Sequence, residues 1–382
     1  MIHFNVPPYV GEEEKYVIQS IKSHNICGDN SFTLKCQEIM NKKFAPNGSS
    51  KSFLTTSGTT ALEMACMLAD LKDGDEVILP SYTFSSTATS IIMFGATPVF
   101  VDVRPDTMNI DENKIENAIT NKTKAIMVMH YAGVACEMDK IMEIAHKYNL
   151  VVIEDAAQGV NALYKNKYLG TIGDFGCYSF HETKNYSMGE GGAIFVNDPK
   201  YFDRAAIVRE KGTNRTQFKN GQVDKYTWVD KGSSYLPSDI LAAYLYPQLL
   251  QMDKIRQDRV DSFKKYYELL KPLQDEGLIE LPQIPSDCVH NGHMFYVKTK
   301  NLEERQNLQT FLRDNEIISA FHYIPLHSSP KGLEISRFVG DDIYTTKESE
   351  RLLRLPMYYN LSNDDLLTVV EKVNDFYHEK EQ

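Results

Sequence analysis

The sequence predicts an α/β protein, with a mostly parallel sheet in a large domain and a small α+β domain at its C-terminal end. Three observations carry this. Short β-rich runs alternate with amphipathic segments from Phe53 to Lys211, the mark of repeated strand–helix–strand crossovers. The alternation gives way near Ser238 to two helical stretches and then a strand–helix–strand–helix series. No internal period is present, so this is not a repeat array.

In chain order, strands are expected at 53–56, 76–79, 97–103, 125–130, 151–154, 176–180 and 193–196. The stretches 60–71, 84–94, 112–119, 138–148 and 200–211 carry helical spacing of apolar residues. After 212–232, a polar segment of the length that is usually functional or reaches a neighbour, helices are expected at 238–250 and 254–270. A Pro-rich patch at 281–285 leads to a strand at 293–299, a helix at 302–314, a strand near 317–321, and helices at 346–353 and 363–377. The expected division is 1–250 for the large domain and 251–382 for the small one.

Composition narrows the function. A net charge of −11, with both signs mixed along the chain, repels a phosphate backbone and argues against nucleic acid as a partner. It leaves room for a small phosphorylated ligand held by local N–H groups. No apolar run approaches the roughly 18–20 residues that cross a bilayer, so no membrane partner is expected. The first residues lack the basic and apolar regions of a secretory signal. Six scattered cysteines without a C-x-x-C pair read as free thiols in a reducing compartment, and the expected location is the cytoplasm. No His-Glu-x-x-His or comparable spacing is present, and no metal is expected.

Three stretches carry chemistry. In Thr56-Ser-Gly-Thr-Thr-Ala61, Gly58 permits a tight turn while Thr59 and Thr60 present N–H groups where a helix begins. That is an anion site, although such caps also open many ordinary helices. In Val151-Val-Ile-Glu-Asp-Ala-Ala-Gln158 an apolar strand ends at Asp155, at the edge where open α/β sheets bind ligands. A carboxylate there can keep a pyridine nitrogen protonated, or it can be a cap or an ion pair. In Cys177-Tyr-Ser-Phe-His-Glu-Thr-Lys184, Lys184 follows a strand and precedes a Gly-rich turn. A lysine partly desolvated there has a nucleophilic amine. Ser179 can turn its hydroxyl toward the same anion as Thr59 and Thr60. Anion turn, an aromatic after a strand (Phe84), Asp155 and then Lys184 form one ordered set.

With these residues in view, the chain resembles the DegT/StrS-type sugar aminotransferases, pyridoxal-phosphate (PLP) enzymes of the aspartate-aminotransferase fold, fold type I. The resemblance also runs through Pro80-Ser-Tyr-Thr-Phe-Ser-Ser-Thr87, Phe100-Val-Asp-Val-Arg-Pro-Asp, His130-Tyr-Ala-Gly-Val-Ala-Cys-Glu-Met-Asp139, Phe321-His-Tyr-Ile-Pro-Leu-His327 and Arg354-Leu-Pro. It implies that Lys184 carries PLP, that Asp155 partners the pyridine nitrogen, and that Gln158 bonds the ring hydroxyl. It further implies that Phe84 stacks on the ring and that Gly58, Thr59, Thr60 and Ser179 hold the phosphate. Within the family it is similar to the members that aminate dTDP-4-keto-6-deoxyglucose at C4 with L-glutamate, giving the galacto product for surface polysaccharide. It implies a homodimer with shared active sites.

Two departures from the family pattern stand out. Leu236 occupies the place of an Asn that the partner subunit usually brings to the phosphate. The turn Ser187-Met-Gly-Glu-Gly191 is one residue shorter. His181, His322, Tyr323 and His327 are candidates for the sugar pocket, with a packing cluster as the other reading. Three alternatives remain. Amination at C3 or to the gluco epimer is one. A dehydratase of the same fold is another, against which Lys184 argues. The third is a non-catalytic PLP-binding regulator.

Overall fold

The computed structural model describes residues 1–378. Its main sheet is built from β1 (Lys51–Thr55), β2 (Glu76–Pro80), β3 (Thr97–Val101), β4 (Thr123–Met129), β5 (Val151–Asp155), β6 (Phe175–Ser179) and β7 (Gly192–Val196). Later in the chain come β8 (Phe295–Lys298), β9 (Ala320–Phe321), β10 (Arg337–Phe338) and β11 (Leu352–Leu355). The main sheet runs β1-β7-β6-β5-β4-β2-β3-β10. Only β7 runs against its neighbours, pairing antiparallel with both β1 and β6. The other pairings are parallel. The expected α/β class with a mostly parallel sheet is the one found.

Period-two alternation splits the strands between two cores. Ile78, Ile126, Val128 and Val152 face one cluster, with the helices Ser31–Phe44, Met138–Tyr148 and Asp239–Leu250. Val77, Leu79, Met127 and Ile153 face the other, with the helix Gly58–Leu68. A sheet covered on both faces needs strands apolar throughout, and that is why these runs were legible.

Three features depart from expectation. The helices Glu13–Lys22 and Ser31–Phe44 were not expected. The second is capped not by its own Asn30 but by Asp239, whose carboxylate accepts from the amides of Phe32 (3.2 Å) and Thr33 (2.7 Å). The polar segment after 212 contains a short helix, Arg215–Lys219. The expected helix at 346–353 stops at Arg351, and Leu352–Leu355 is instead the middle strand of a small antiparallel sheet, β8-β11-β9. Leu353 and Leu355 enter the core around Tyr266 and Phe295, while Leu352 faces Tyr82 and Tyr131. Arg354 shares the face of Leu352.

Candidate active site

Parallel strands end together, so the residues that follow β1, β2, β4, β5 and β6 collect along one edge of the sheet. Because β7 runs the other way, its first residues join them. The result is a cleft of about 630 Å³ that reaches from Ser57 and Gly58 at one end, past Phe84, Asp155 and Lys184, to His293, His322 and Arg354 of the small sheet's side.

Asp155 is 5% exposed. Its carboxylate accepts from the Thr87 hydroxyl at 2.7 Å and from the Ala157 amide at 3.2 Å. Burial nonetheless lifts its pKa above the usual carboxylate range. Lys184 sits in the turn after β6, its amide donating to His181 O at 2.9 Å. Burial pushes its amine down to about 8, against a raising pull from Asp155 and with a further lowering by Arg354. A lysine in this state is neutral in roughly one molecule in ten at pH 7, against fewer than about one in a thousand for an ordinary lysine, and the neutral amine is the nucleophile.

On the far side of Asp155, Glu154 is fully buried. It accepts from the Nε2 of His130 at 3.0 Å and from the amides of Gly170, Ile172 and Gly173, each at 2.7 Å. The Cys136 amide donates to Nδ1 of His130, so the imidazole is the neutral Nε2–H tautomer. The strand end that carries Asp155 is thus pinned from behind.

At the opposite end of the cleft, Ser57 caps the helix Gly58–Leu68 and takes the Thr60 amide. A methyl group on Gly58 would lie 2.9 Å from Ser179 Cβ, so only glycine lets the helix start reach β6. Thr59 bonds Ser86 at 2.7 Å, and Ser179 lines the wall. Phe84 opens the helix Ser85–Ile92 and is 56% exposed, its ring presented to the cleft.

Gln158 accepts from the Ala132 amide at 2.7 Å, which turns its NH₂ to the cleft, where it donates to Tyr323 at 2.9 Å. Tyr82 donates to Tyr131, which leaves the Tyr131 proton for His322 Nδ1 at 3.2 Å. Asn185 gives its NH₂ to Asn291, so its oxygen faces Nδ1 of His293 at 2.9 Å, and His293 is the Nδ1–H tautomer. Burial, together with Lys184 and Arg354, holds both imidazoles well below the ordinary histidine pKa. They are neutral walls, not cations.

Nearly all the sequence candidates meet in this cleft: Lys184, Asp155, Gln158, Phe84, Gly58, Thr59, Ser179, His181, His322 and Tyr323 all line it. Two do not. Thr60 turns both its amide and its hydroxyl into the capping box with Ser57, and Ser57 stands at the wall instead. His327 bonds Ser81 Oγ at 2.7 Å and pairs with Asp342 at 3.2 Å, outside the cleft lining. Leu236 packs on Gly28. The shortened turn is tied by the Ser187 amide to Gln248 at 2.9 Å. His293, Arg354 and Phe4 were missed. Arg354 would have followed from reading Leu352–Leu355 as alternating.

The family to which this geometry belongs is decided by comparison with known proteins. The DegT/DnrJ/EryC1/StrS aminotransferase family matches residues 28–374. The chain belongs to that family. It is 32% identical to the GDP-perosamine synthase of Escherichia coli O157:H7, over 98% of both chains. It is 35% identical to the dTDP-3-amino-3,6-dideoxy-alpha-D-galactopyranose transaminase of Aneurinibacillus thermoaerophilus, over 88% of both. Among solved structures, a DegT/DnrJ/EryC1/StrS aminotransferase from Brucella abortus superposes with a TM-score of 0.87 at 26% identity, covering 96% of this chain and 95% of that one. An aminotransferase from Psychrobacter cryohalolentis shares the fold, with a TM-score of 0.90 at 24% identity over 99% of both chains.

As a member of this DegT/StrS family, the chain is a PLP-dependent sugar aminotransferase, and its cleft fits that cofactor on its own terms. The glycine-dependent cradle of Ser57, Gly58 and Ser179 suits a phosphate, and the ring of Phe84 is exposed to the cavity. Asp155 is a buried carboxylate without a cationic partner in contact among the described residues, and Lys184 is an amine already lowered. Among the described residues no helix is long and apolar enough to cross a membrane.

Proposed function

We propose that this enzyme transfers an amino group from L-glutamate to dTDP-4-keto-6-deoxy-D-glucose, giving dTDP-4-amino-4,6-dideoxy-D-galactose for a surface polysaccharide. The observation that supports the aminotransfer is the convergence of Lys184, Asp155 and the glycine-dependent cradle in one cleft, which also holds an arginine without a carboxylate partner among the described residues; the sugar is proposed from the resemblance. When bound, PLP supplies the electron sink for breaking and making bonds at the carbon that bears nitrogen. Lys184 would hold the cofactor, and its free amine would take up a proton at Nζ and return it. Asp155 would partner the ring nitrogen and favour its protonated form. Gln158 would offer its NH₂ to the ring hydroxyl, Phe84 would stack on the ring, and Ser57, Gly58, Thr59 and Ser179 would hold the phosphate.

Arg354 receives a carboxylate of glutamate. Its guanidinium makes no hydrogen bond among the described residues, and its Nε is buried. Its electrostatic neighbours in the cleft include Lys184, His293 and His322. His181, His322 and Tyr323 line the sugar side. We propose also that 1–250 and 251–382 are the large and small domains, and that two cytoplasmic copies pair to complete each site. In support, the segment after Gly212 exposes Tyr226, Trp228 and Val229.

The test is to incubate the protein with PLP, L-glutamate and the keto sugar and record the proton spectrum of the product. A small coupling between H3 and H4 means an axial amino group, as proposed. A large coupling means the gluco epimer. Nitrogen at C3, as in the relative's product name, would move the substrate assignment. Cofactor bleaching by glutamate without sugar product would leave the donor in place and overturn the sugar.

A further inference from the structure

The N-terminal arm enters the cleft, although nothing in the first residues marked it as part of a site. Ile2 pairs in parallel with Ile317, its amide donating to Glu316 O at 2.8 Å while its carbonyl accepts from Ile318 at 3.0 Å. Two residues on, Phe4 O accepts from the Met357 amide at 3.3 Å. Asn5 donates to Glu182 O at 3.4 Å, in the turn that holds Lys184. The arm therefore strings together the small sheet's side, the segment after Arg354 and the lysine turn. Its one side chain in the cleft lining is Phe4.

The Phe4 ring lies 4.5 Å from the centre of the Arg354 guanidinium. That stacking matters because nothing polar among the described residues holds Arg354. Among the described residues its guanidinium has no hydrogen-bond acceptor, and its Nε is buried without a partner. The backbone of the strand fixes where Arg354 starts, since Arg354 sits opposite Tyr296 in the β8–β11 register. The long flexible stem leaves the head free to swing unless something catches it. A ring face catches a guanidinium without consuming its N–H groups, because the π-cloud attracts the cation from above while the donors point out around the edge.

We propose that Phe4 is a positioning residue for the amino donor: it holds the Arg354 guanidinium flat, with its N–H edge turned to the cleft, so that a carboxylate of the donor meets a preorganised fork. The proposal rests on the reading of Arg354 as the donor's carboxylate receptor. It confines the effect of Phe4 to the half-reaction with glutamate, since the keto sugar carries no carboxylate.

The experiment measures binding of glutarate, a dicarboxylate without the amine, to the PLP-loaded enzyme by calorimetry, alongside kcat/KM for each substrate. Four proteins are compared: native, Phe4→Leu, Phe4→pentafluorophenylalanine and Arg354→Gln. Phe4→Leu should weaken glutarate about five- to tenfold. The fluorinated ring, equal in shape and with its quadrupole reversed, should do the same in an unaltered fold. Both should lower kcat/KM for glutamate in parallel and leave that for the keto sugar within about twofold. If the fluorinated variant binds glutarate like the native enzyme while Arg354→Gln does not, Phe4 has no positioning role and the proposal falls. If Arg354→Gln itself binds glutarate normally, the carboxylate reading beneath it is what fails. Equal losses for both substrates in the Phe4 variants would mean general damage to the cleft and would also overturn the proposal.

Discussion

Asp155 and Lys184, brought into one cleft from the ends of neighbouring strands, each restrain the effect of burial on the other. Burial lifts the Asp155 carboxyl, and the Lys184 ammonium pulls it back. Burial drops the Lys184 amine to about 8, and the Asp155 carboxylate holds it from falling further. The pair keeps an anion available for a ring nitrogen and an amine that is neutral often enough to react.

This relationship sets a pH dependence. In cofactor-free protein, uptake of PLP by Lys184 should accelerate about tenfold per pH unit and level off above about pH 8, where the amine is already neutral. Because Asp155 raises the amine's pKa, Asp155→Asn should move the plateau to lower pH. Absorbance-monitored uptake across that range checks both. Lys184→Ala should remove covalent attachment and reduce turnover by roughly a thousandfold or more.

Asp155→Asn should also separate stability from activity. The folded-state pKa of Asp155 lies above its unfolded value, so its favourable contribution is present only at low pH and is lost as pH rises through the folded pKa. Above that pKa the buried ionised carboxylate adds nothing beyond its attraction for Lys184. The asparagine removes this titration, so the melting temperature of the cofactor-free protein should fall less between acid and neutral pH than in the native chain, while kcat drops by about 10²–10³-fold. An equal fall in both proteins would contradict the burial argument.

How far the sequence was legible follows from where each signal sits. The strands of the main sheet were readable because they are buried on both faces and apolar throughout, and the anion turn, Asp155 and Lys184 lie on its carboxyl edge in chain order. The helix Ser31–Phe44 was not readable because its cap, Asp239, is supplied from far along the chain. Arg354 was missed because Leu352–Leu355 continues the preceding helix without a breaker, and its period of two appears only over four residues. Phe4 lies in a stretch, Phe4-Asn-Val-Pro-Pro8, that shares the family resemblance, but nothing in the sequence placed it in the site, since that depends on how the N-terminal arm meets Ile317 and Met357, which only tertiary structure fixes.

Glu154 offers a test of the support behind the site. Its two oxygens take four donors in a fully buried position. Glutamine has the same shape but can accept at only one oxygen, and its NH₂ would face donors. Glu154→Gln should cost about 3 kcal/mol of stability, read as a lower urea midpoint with an unchanged slope. A loss below about 0.5 kcal/mol would mean that these bonds do not hold the strand end.

The cradle can be probed by one methyl group. Gly58 is the first residue of its helix, and its φ is not in the left-handed region, so alanine is acceptable to the backbone and favours the helix by up to about 1 kcal/mol. The obstacle is space: the new methyl would stand 2.9 Å from Ser179 Cβ and 3.3 Å from its Cα. Ser179 is the last residue of β6, paired to β7, and cannot retreat alone. The helix start must therefore move away from Ser179, widening the gap across which Ser57, Gly58 and Ser179 are proposed to grip a phosphate. Gly58→Ala should leave the fold intact and weaken PLP roughly tenfold or more, as judged by equilibrium dialysis. It should also weaken free inorganic phosphate, measured as a competitor of PLP. Unchanged PLP affinity would show that the phosphate is held elsewhere in the cleft.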